Sequence, residues 1–205
     1  MFTGLVRALG EIQSITDTNG VRRFKVAGDL AEADLTLGAS ISHSGVCLTI
    51  VASDFSGQTP VWEVEAVPET LKLTSLGARE VGDRINLEPS LRLGVELGGH
   101  LVFGHVDGLG ELIEIAEEGD SHRITIRPPE ALHPLIAYKG SITIDGISLT
   151  VAHVADNGDF QIAVIPHTWE VTSLGTAKTG DKVNLEVDML ARYVERQLAF
   201  RKDSD

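Results

Sequence analysis

Short stretches in which polar and apolar residues alternate recur along the chain. Clear examples are residues 21–26, 61–67 and 123–127. A period of two over the length of a strand is typical of a β-strand with one buried face. Turn-forming residues separate such stretches, as in segment 155–159, which reads Ala-Asp-Asn-Gly-Asp and predicts a hairpin turn. The pattern therefore predicts an all-β architecture of short strands, with brief helical pieces at 29–34 and 129–137.

The chain also repeats itself at an offset close to 100 residues. Five blocks recur in the same order: 4–12 as 104–112, 40–49 as 141–150, 68–70 as 166–168, 74–77 as 172–175 and 82–88 as 180–186. Two copies are too few for a solenoid, so each copy must close its own core. A small closed barrel does this without an open sheet edge. We therefore expect two tandem barrels, residues 1–97 and 98–187, joined at the glycine-rich segment 91–99.

A helix outside the repeat is predicted from Asp188 onward. Asp188 is a good N-cap, and strong helix formers follow it. One face of this helix carries Leu190, Tyr193, Val194, Gln197 and Leu198. That face either packs on its own barrel or meets copies of itself in an oligomer, and the second is favoured because the barrels are complete without it.

Composition and charge narrow the classes of function. The chain of 205 residues is 42% hydrophobic, carries a net charge of −13 and has one Cys. The negative charge argues against binding to nucleic acid or to an anionic membrane. A single Cys excludes an intramolecular disulfide and a cysteine-based zinc site, and no apolar run approaches the length of a membrane span. We expect a reduced, cytoplasmic, acidic globular protein.

Equivalent positions of the two copies differ at chemically active residues. Such pairs are Leu5 and His105, Ser44 and Asp145, Cys47 and Ser148, Glu69 and His167, and Ser90 and Asp188. Two related but unequal pockets suit a reaction in which two similar molecules play different parts. Structural alternatives remain open: Cys47 as a core residue, His105 and Asp145 as turn residues, Asp188 as a plain cap, and His43 and His100 as structural histidines.

At these blocks the chain resembles the riboflavin synthase family, of the α-chain, double-barrel type. The resemblance rests on 1–4 (Met-Phe-Thr-Gly), 44–49 (Ser-Gly-Val-Cys-Leu-Thr), 98–108 (from Gly-Gly-His-Leu to Gly-His-Val-Asp-Gly), 145–150 (Asp-Gly-Ile-Ser-Leu-Thr) and 165–168 (Ile-Pro-His-Thr). It extends from Met1 to about Asp188 and keeps both copies in register.

The resemblance implies a fold, a reaction and an assembly. Each copy would be a six-stranded Greek-key antiparallel barrel that binds one 6,7-dimethyl-8-ribityllumazine. Four carbons would pass from one lumazine to the other, giving riboflavin and 5-amino-6-(D-ribitylamino)uracil, with neither a metal nor an organic cofactor. Residues 188–205 would form a trimerisation helix and tail, with each site between the amino barrel of one subunit and the carboxyl barrel of another. Association with a lumazine synthase shell is left open.

The resemblance also implies the site residues. The amino-barrel pocket would be lined by Gly4, Leu5, Val6, Cys47, Leu48, Thr49, Glu69 and Thr70. The carboxyl-barrel pocket would be lined by Gly104, His105, Val106, Ser148, Leu149, Thr150, Ile165, His167 and Thr168, with Lys139 reaching a ligand at the interface. His105 is the leading general acid or base because an imidazole titrates near neutral pH. Cys47, Ser148 and Asp145 are candidates to activate, or to add to, the acceptor lumazine.

The main alternative is a non-catalytic lumazine- or flavin-binding protein of the same fold. Such carriers tend to keep one working pocket, whereas both copies here retain the Gly-x-x-Leu-Thr and Pro-x-Thr blocks. A structural oligomer without a ligand would leave the unequal pairs without a reason. The sequence therefore favours the enzyme.

Overall fold

The first half of the chain forms a closed six-stranded antiparallel barrel in this computed structural model, which describes residues 1–202. Its strands are β1 (Ala8–Thr18), β2 (Val21–Ala27), β3 (Ser40–His43), β4 (Val46–Asp54), β5 (Val61–Ala66) and β6 (Arg84–Pro89). They follow each other around the barrel as β1-β2-β5-β4-β3-β6. This is a Greek-key order, and it confirms the predicted fold class.

The second half repeats this barrel strand for strand. Its strands are β7 (Gly108–Glu118), β8 (Ser121–Arg127), β9 (Ser141–Ile144), β10 (Ile147–Val154), β11 (Phe160–Val164) and β12 (Lys182–Val187). They follow each other around the barrel as β7-β8-β11-β10-β9-β12, which is the same order as in the first barrel. The internal duplication read from the sequence is therefore a duplication of complete barrels.

Short helices occupy matching places in the two copies. Helices α1 (Pro68–Leu73) and α2 (Pro166–Val171) each begin at a proline and follow the fifth strand of their barrel. Single 3₁₀ turns lie at Glu32–Asp34, Ser75–Ala78, Glu130–Leu135 and Ser173–Thr176. The turns near residues 29–34 and 129–137 are thus present, as 3₁₀ rather than α geometry.

Each barrel has its own apolar core, built from the inward-facing residues of its strands. The first core contains Phe24 and Trp62, and the second contains Ile126 and Phe160. His43 is buried in the first barrel, where its Nε2 accepts a hydrogen bond from the indole N–H of Trp62 at 3.0 Å. Burial lowers the pKa of His43 to about 4, so this imidazole is a neutral core group.

The two barrels meet through equivalent tight turns. Residues Ser44-Gly45 join β3 to β4, and Asp145-Gly146 join β9 to β10. A Cβ on Gly45 would lie 2.8 Å from the backbone N of Gly146, and a Cβ on Gly146 would lie 2.7 Å from the N of Gly45. The turns therefore lie back to back, and only glycine allows this approach. The contact relates the barrels by an approximate twofold axis.

Helix α3 (Met189–Lys202) follows the second barrel, as predicted. The backbone N–H of Leu190 donates to Oδ1 of Asp188 at 2.9 Å, so Asp188 caps the helix. The predicted apolar face is solvent-exposed: Leu190 is 71%, Tyr193 65% and Val194 58% exposed. Helix α3 approaches the second copy at the 3₁₀ segment Glu130–Leu135, and these apolar side chains remain largely exposed. The predicted unit of helix and tail is 188–205, and residues 203–205 of it lie outside the described residues.

No helix within residues 1–202 is both long enough and apolar enough to cross a membrane.

Candidate functional site

The segments that precede the two barrels pair with each other and then cross to the opposite barrel. Phe2 and Val102 form an antiparallel bridge, with both backbone N–H groups donating across it. Beyond this bridge, the carbonyl of Gly4 accepts a hydrogen bond from the N–H of Ser148 at 2.7 Å. The carbonyl of Gly104 accepts from the N–H of Cys47 at 3.0 Å. Each leading segment therefore lies against a strand of the other copy.

Glycine is required where each leading segment touches its strand. Gly4 and Gly104 have φ of +77° and +74°, in the left-handed region that favours glycine. A Cβ on Gly4 would lie 2.5 Å from the Cβ of Ser148, and one on Gly104 would lie 2.5 Å from the Cβ of Cys47. These contacts explain why Gly4 and Gly104 match in the two copies.

Because the leading segments cross, the pocket to which each was assigned from the sequence has to be corrected. Gly4, Leu5 and Val6 were expected beside Cys47, and Gly104, His105 and Val106 beside Ser148. That grouping is wrong. Val6 packs against the core of the second barrel, and Val106 against the core of the first. The sequence offset identifies which residues are equivalent, but it does not say which barrel each segment contacts.

Two buried carboxylates, missed by sequence reasoning, anchor the leading segments to their own barrels. Glu88, on β6, accepts from the N–H groups of Thr3 and Gly4 at 2.7 and 2.9 Å, and from the Thr3 hydroxyl. Glu186, on β12, accepts from the N–H groups of Phe103, Gly104 and His105 at 2.8 to 3.0 Å. Burial raises the pKa of both carboxyls, while these hydrogen bonds oppose the rise.

The outward faces of β4 and β10 carry the polar candidates. On β4, Cys47 is half-buried and Thr49 is exposed; on β10, Ser148 is half-buried and Thr150 is exposed. Leu48 alternates with them and belongs to the first core, and Leu149 packs against the second core. The two leucines therefore support the strands from inside.

The remaining candidates lie where the fifth strand of each barrel ends. Glu69 and Thr70 are on α1, while Ile165, His167 and Thr168 are at the start of α2. Glu69 and His167 are exposed, and Ile165 is 58% exposed. The Thr70 and Thr168 carbonyls accept from the Thr74 and Thr172 hydroxyls, both at 2.7 Å. The hydroxyls thereby fix the ends of these short helices.

An imidazole that sequence reasoning left as structural lies directly on Ser148. Nδ1 of His100 is 2.7 Å from Oγ of Ser148, and its Nε2 is 3.2 Å from Oγ1 of Thr143. Burial lowers the pKa of His100, while the negative charge of Asp188 opposes this. A neutral imidazole hydrogen-bonded to a hydroxyl is the arrangement that accepts a proton from that hydroxyl. The second barrel thus has a Ser–His pair.

His105 occupies the corresponding region beside Cys47. It lies between Gly104, which touches Cys47, and Val106, which packs into the first core. Its side chain is exposed, with the imidazole 6.0 Å from the ring of Phe103. The structure therefore places His105 on the segment that touches Cys47, not on the segment that touches Ser148.

Asp145 lies at the contact between the barrels. It is 3% exposed, and its Oδ1 accepts from the backbone N–H of Asn184 at 2.8 Å. Burial raises its pKa to about 6. Asp145 also lines a cavity of about 550 Å³ between the barrels, together with Ser75 and Ser173. This carboxyl is directed into the barrel contact.

Lys139 adopts a backbone conformation that its counterpart achieves with glycine. Its φ is +64°, and the equivalent residue of the first copy, Gly38, has φ of +80°. The ammonium group lies 5.3 Å from the centre of the exposed Tyr138 ring. A lysine held in the left-handed region costs about 1 kcal/mol, which is typical of residues kept for function.

Within residues 1–202, no three His, Cys, Asp or Glu side chains are grouped as metal ligands.

Comparison with known proteins identifies the repeated unit. A family model described as "Lumazine binding domain" matches residues 3–90 and again 103–188. Structures of LumP complexed with riboflavin and with 6,7-dimethyl-8-(1'-D-ribityl) lumazine superpose with TM-scores of 0.80 and 0.78, at 27% and 26% identity. Each comparison covers 92% of this chain and at least 99% of the LumP chain. The fold is therefore that of a duplicated lumazine-binding barrel.

Full-length relatives define the family within this class. A riboflavin synthase from Brucella abortus is 47% identical over 203 residues, which are 98% of this chain and 100% of the relative. A riboflavin synthase from Mycobacterium tuberculosis is 41% identical over 96% of this chain and 97% of its own length. The chain belongs to the riboflavin synthase family.

Proposed function

We propose that the chain catalyses the dismutation of two 6,7-dimethyl-8-ribityllumazine molecules into riboflavin and 5-amino-6-(D-ribitylamino)uracil, as a cofactor-independent transferase. The observation that carries this is a pair of equivalent surfaces with one framework and two chemistries. Each combines an outward strand face with the other copy's glycine segment. One surface carries Cys47 beside the segment of His105, and the other carries Ser148 hydrogen-bonded to His100.

The reaction requires two molecules of one compound to be held in opposition. The 7-methyl group of the lumazine is acidic because its carbanion delocalises into the pteridine, so a base of modest strength can remove its proton. Four carbons then leave the donor and join the acceptor. Fixing two reactants in a productive geometry is worth on the order of 7–11 kcal/mol. Positioned acid–base groups add about 10²–10⁴-fold.

The protein groups fit these two needs. His105 is exposed on the segment beside Cys47, where its imidazole can take or return a proton. Neutral His100 can accept the Ser148 proton, which prepares the Ser148 oxygen to activate or add to the lumazine in the second pocket. The Thr49 and Thr150 hydroxyls lie two residues along the same outward faces and suit the ribityl chain. Backbone groups at Gly4–Val6 and Gly104–Val106 suit the pyrimidine edge.

The assembly belongs to the same proposal. The exposed apolar face of α3 would be buried against other copies in a homotrimer, which places a first-barrel pocket of one subunit opposite a second-barrel pocket of another. Functional units are then 1–97, 98–187 and 188–205. Association with a lumazine synthase shell would bring substrate close to these pockets. A cytoplasmic location fits a reduced, acidic chain with one cysteine.

Absorbance of the purified protein with the lumazine tests the function. The proposal requires continuing turnover, with one ribitylaminouracil released for each riboflavin formed. A non-catalytic carrier would only shift the lumazine spectrum at a fixed stoichiometry, and that result would overturn the proposal.

A further inference from the structure

Helix α3 contacts the leading segment of the second copy through one side chain. Nη2 of Arg192 donates to the backbone carbonyl of His105 at 2.7 Å and to Oδ2 of Asp107 at 2.8 Å. The same Asp107 oxygen accepts from the N–H of Val187 at 2.8 Å. The guanidinium thus joins α3, β12 and the His105 segment at a single point.

His105 is consequently held from both sides of its backbone. Its N–H donates to Glu186, and its carbonyl accepts from Arg192. A charged donor makes the second hydrogen bond stronger than one between neutral groups. Both peptide groups next to the His105 Cα are therefore fixed, and with them the direction of its Cα–Cβ bond. Only the side-chain torsions of His105 remain free.

The first copy lacks this second contact. Its leading segment is held by Glu88, as the other is by Glu186, but Arg7 stands where the second copy has Asp107. Leu5 stands where the second copy has His105, and its carbonyl has no guanidinium partner among the described residues. The extra contact is therefore confined to the copy whose leading segment carries an imidazole.

The contact is not explained as a gain in stability. Arg192 is 31% and Asp107 18% exposed, and ion pairs of this exposure contribute about 0–1 kcal/mol. Nε of Arg192 is buried and has no hydrogen-bond partner, which is unfavourable. An arrangement that gains little for the fold, and that acts on the backbone of His105, is consistent with a role in positioning.

We propose that Arg192 is a positioning residue that orients His105 in the pocket of Cys47, and that α3 is thereby coupled to the chemistry. The inference rests on the proposed function. Displacing a reacting group by about 1 Å can cost about 10²-fold in rate. Loss of the Arg192 contact should therefore lower kcat while binding of the lumazine, which uses other groups, is retained.

The test compares Arg192→Gln and Arg192→Lys with a control on the same helix, Arg196→Gln. Arg196 is exposed one turn further along and makes no contact with the His105 segment. Arg192→Gln should lower kcat by about 10- to 100-fold with KM changed less than threefold. Arg192→Lys should recover part of kcat, since one ammonium can reach the carbonyl or the carboxylate. Arg196→Gln should match the wild type.

A second readout separates positioning from folding and from the proposed function. The NMR signals of the His105 imidazole should shift in Arg192→Gln and not in Arg196→Gln, with far-ultraviolet circular dichroism and sedimentation unchanged. If the wild type converts lumazine and Arg192→Gln keeps both its kcat and the His105 signals, the positioning role is overturned. If the wild type does not convert lumazine, the proposed function fails instead.

Discussion

Asn86 of the first barrel and Asn184 of the second bind each other's barrels through the same set of hydrogen bonds. The Asn86 amide donates to the carbonyl of Asp145 at 2.8 Å and accepts from the N–H of Ser173 at 2.8 Å. The Asn184 amide donates to the carbonyl of Ser44 and accepts from the N–H of Ser75, both at 2.7 Å. The barrel contact is thus reciprocal, and a buried polar network of this kind fixes one arrangement of the two units.

The reciprocity is broken at two positions. Asn86 also donates to Oγ of Ser173 at 2.9 Å, whereas Oγ of Ser75 has no hydrogen-bond partner among the described residues. The second difference is one of residue type. Ser44 Oγ accepts from the N–H of Asn86 at 3.1 Å, and Asp145 Oδ1 accepts from the N–H of Asn184 in the equivalent place. A hydroxyl suffices for this hydrogen bond, whereas a buried carboxylate also loses its hydration. This difference leads to a prediction about stability.

Asp145→Ser should stabilise the protein at pH 7 and leave it unchanged at pH 4. The folded pKa of Asp145, about 6, is above its unfolded value of 3.8. Its burial therefore costs nothing below pH 4 and about 3 kcal/mol once the pH has risen through 6. Serine fits the turn, since Ser44 has φ of 47° where Asp145 has 46°. Urea unfolding at the two pH values measures the effect.

Ser44→Asp is the matched control for that prediction. It introduces a second buried carboxyl and should lower the free energy of unfolding at pH 7 but not at pH 4. An Asp145→Ser protein that is less stable than the wild type at pH 7 would mean that the ionised carboxylate is favoured by its surroundings, contrary to this account.

His105→Ala should lower turnover more than ligand binding. An acid–base group contributes about 10²–10⁴-fold to the rate, so kcat should fall by about this factor. The Kd for riboflavin should change little, because the Gly104 carbonyl and the outward face of β4 are left in place. His153→Ala, which alters an exposed histidine of β10 that has no assigned role, is the control. Equal losses of turnover and binding in His105→Ala would contradict its role in proton transfer.

His100→Gln should change the pH dependence of kcat. The imidazole acts as a base in its neutral form, which predominates above its pKa, and burial lowers that pKa below 6.5. The wild type should therefore remain active below pH 6.5, and the decline of kcat toward acid should involve His100. In His100→Gln the kcat should be lower at every pH and that acid decline should disappear. An unaltered pH profile would show that His100 takes no part in proton transfer.

Leu190→Asp combined with Val194→Asp should separate the subunits. Both side chains are exposed in the single chain, and the homotrimer would bury them. The sedimentation mass should fall to about one third. Glu195→Gln, on the same helix, should sediment as the wild type does. If the doubly substituted protein keeps the wild-type mass, the apolar face of α3 is not the subunit contact.

The strands and the duplication were predictable because the alternation of residues and the repeat can both be read directly from the sequence. Alternation places residues such as Phe24 and Val26 on the inner face, and the offset then assigns their counterparts Ile124 and Ile126 to the second core. The helix that begins after Asp188 was equally predictable, since its N-cap and its apolar face are formed by residues close together in the sequence.

The composition of each pocket was not predictable, because it depends on how the copies cross. The repeat makes Leu5 and His105 equivalent, but only tertiary packing assigns each to the opposite barrel. His100 was left as a structural histidine because it lies outside the repeated blocks, the first of which begin at residues 4 and 104. Glu88 and Glu186 were passed over as scaffold because they are identical, although a carboxylate that ends an apolar strand in both copies is a usable signal.

The structure of a complex with a non-reactive lumazine analogue tests the central claim most directly. The account predicts two analogues per chain, one bound against both Cys47 and the Gly104–Val106 segment, the other bound against both Ser148 and the Gly4–Val6 segment. A single bound analogue per chain, or an analogue flanked by the leading segment of its own barrel, would contradict it.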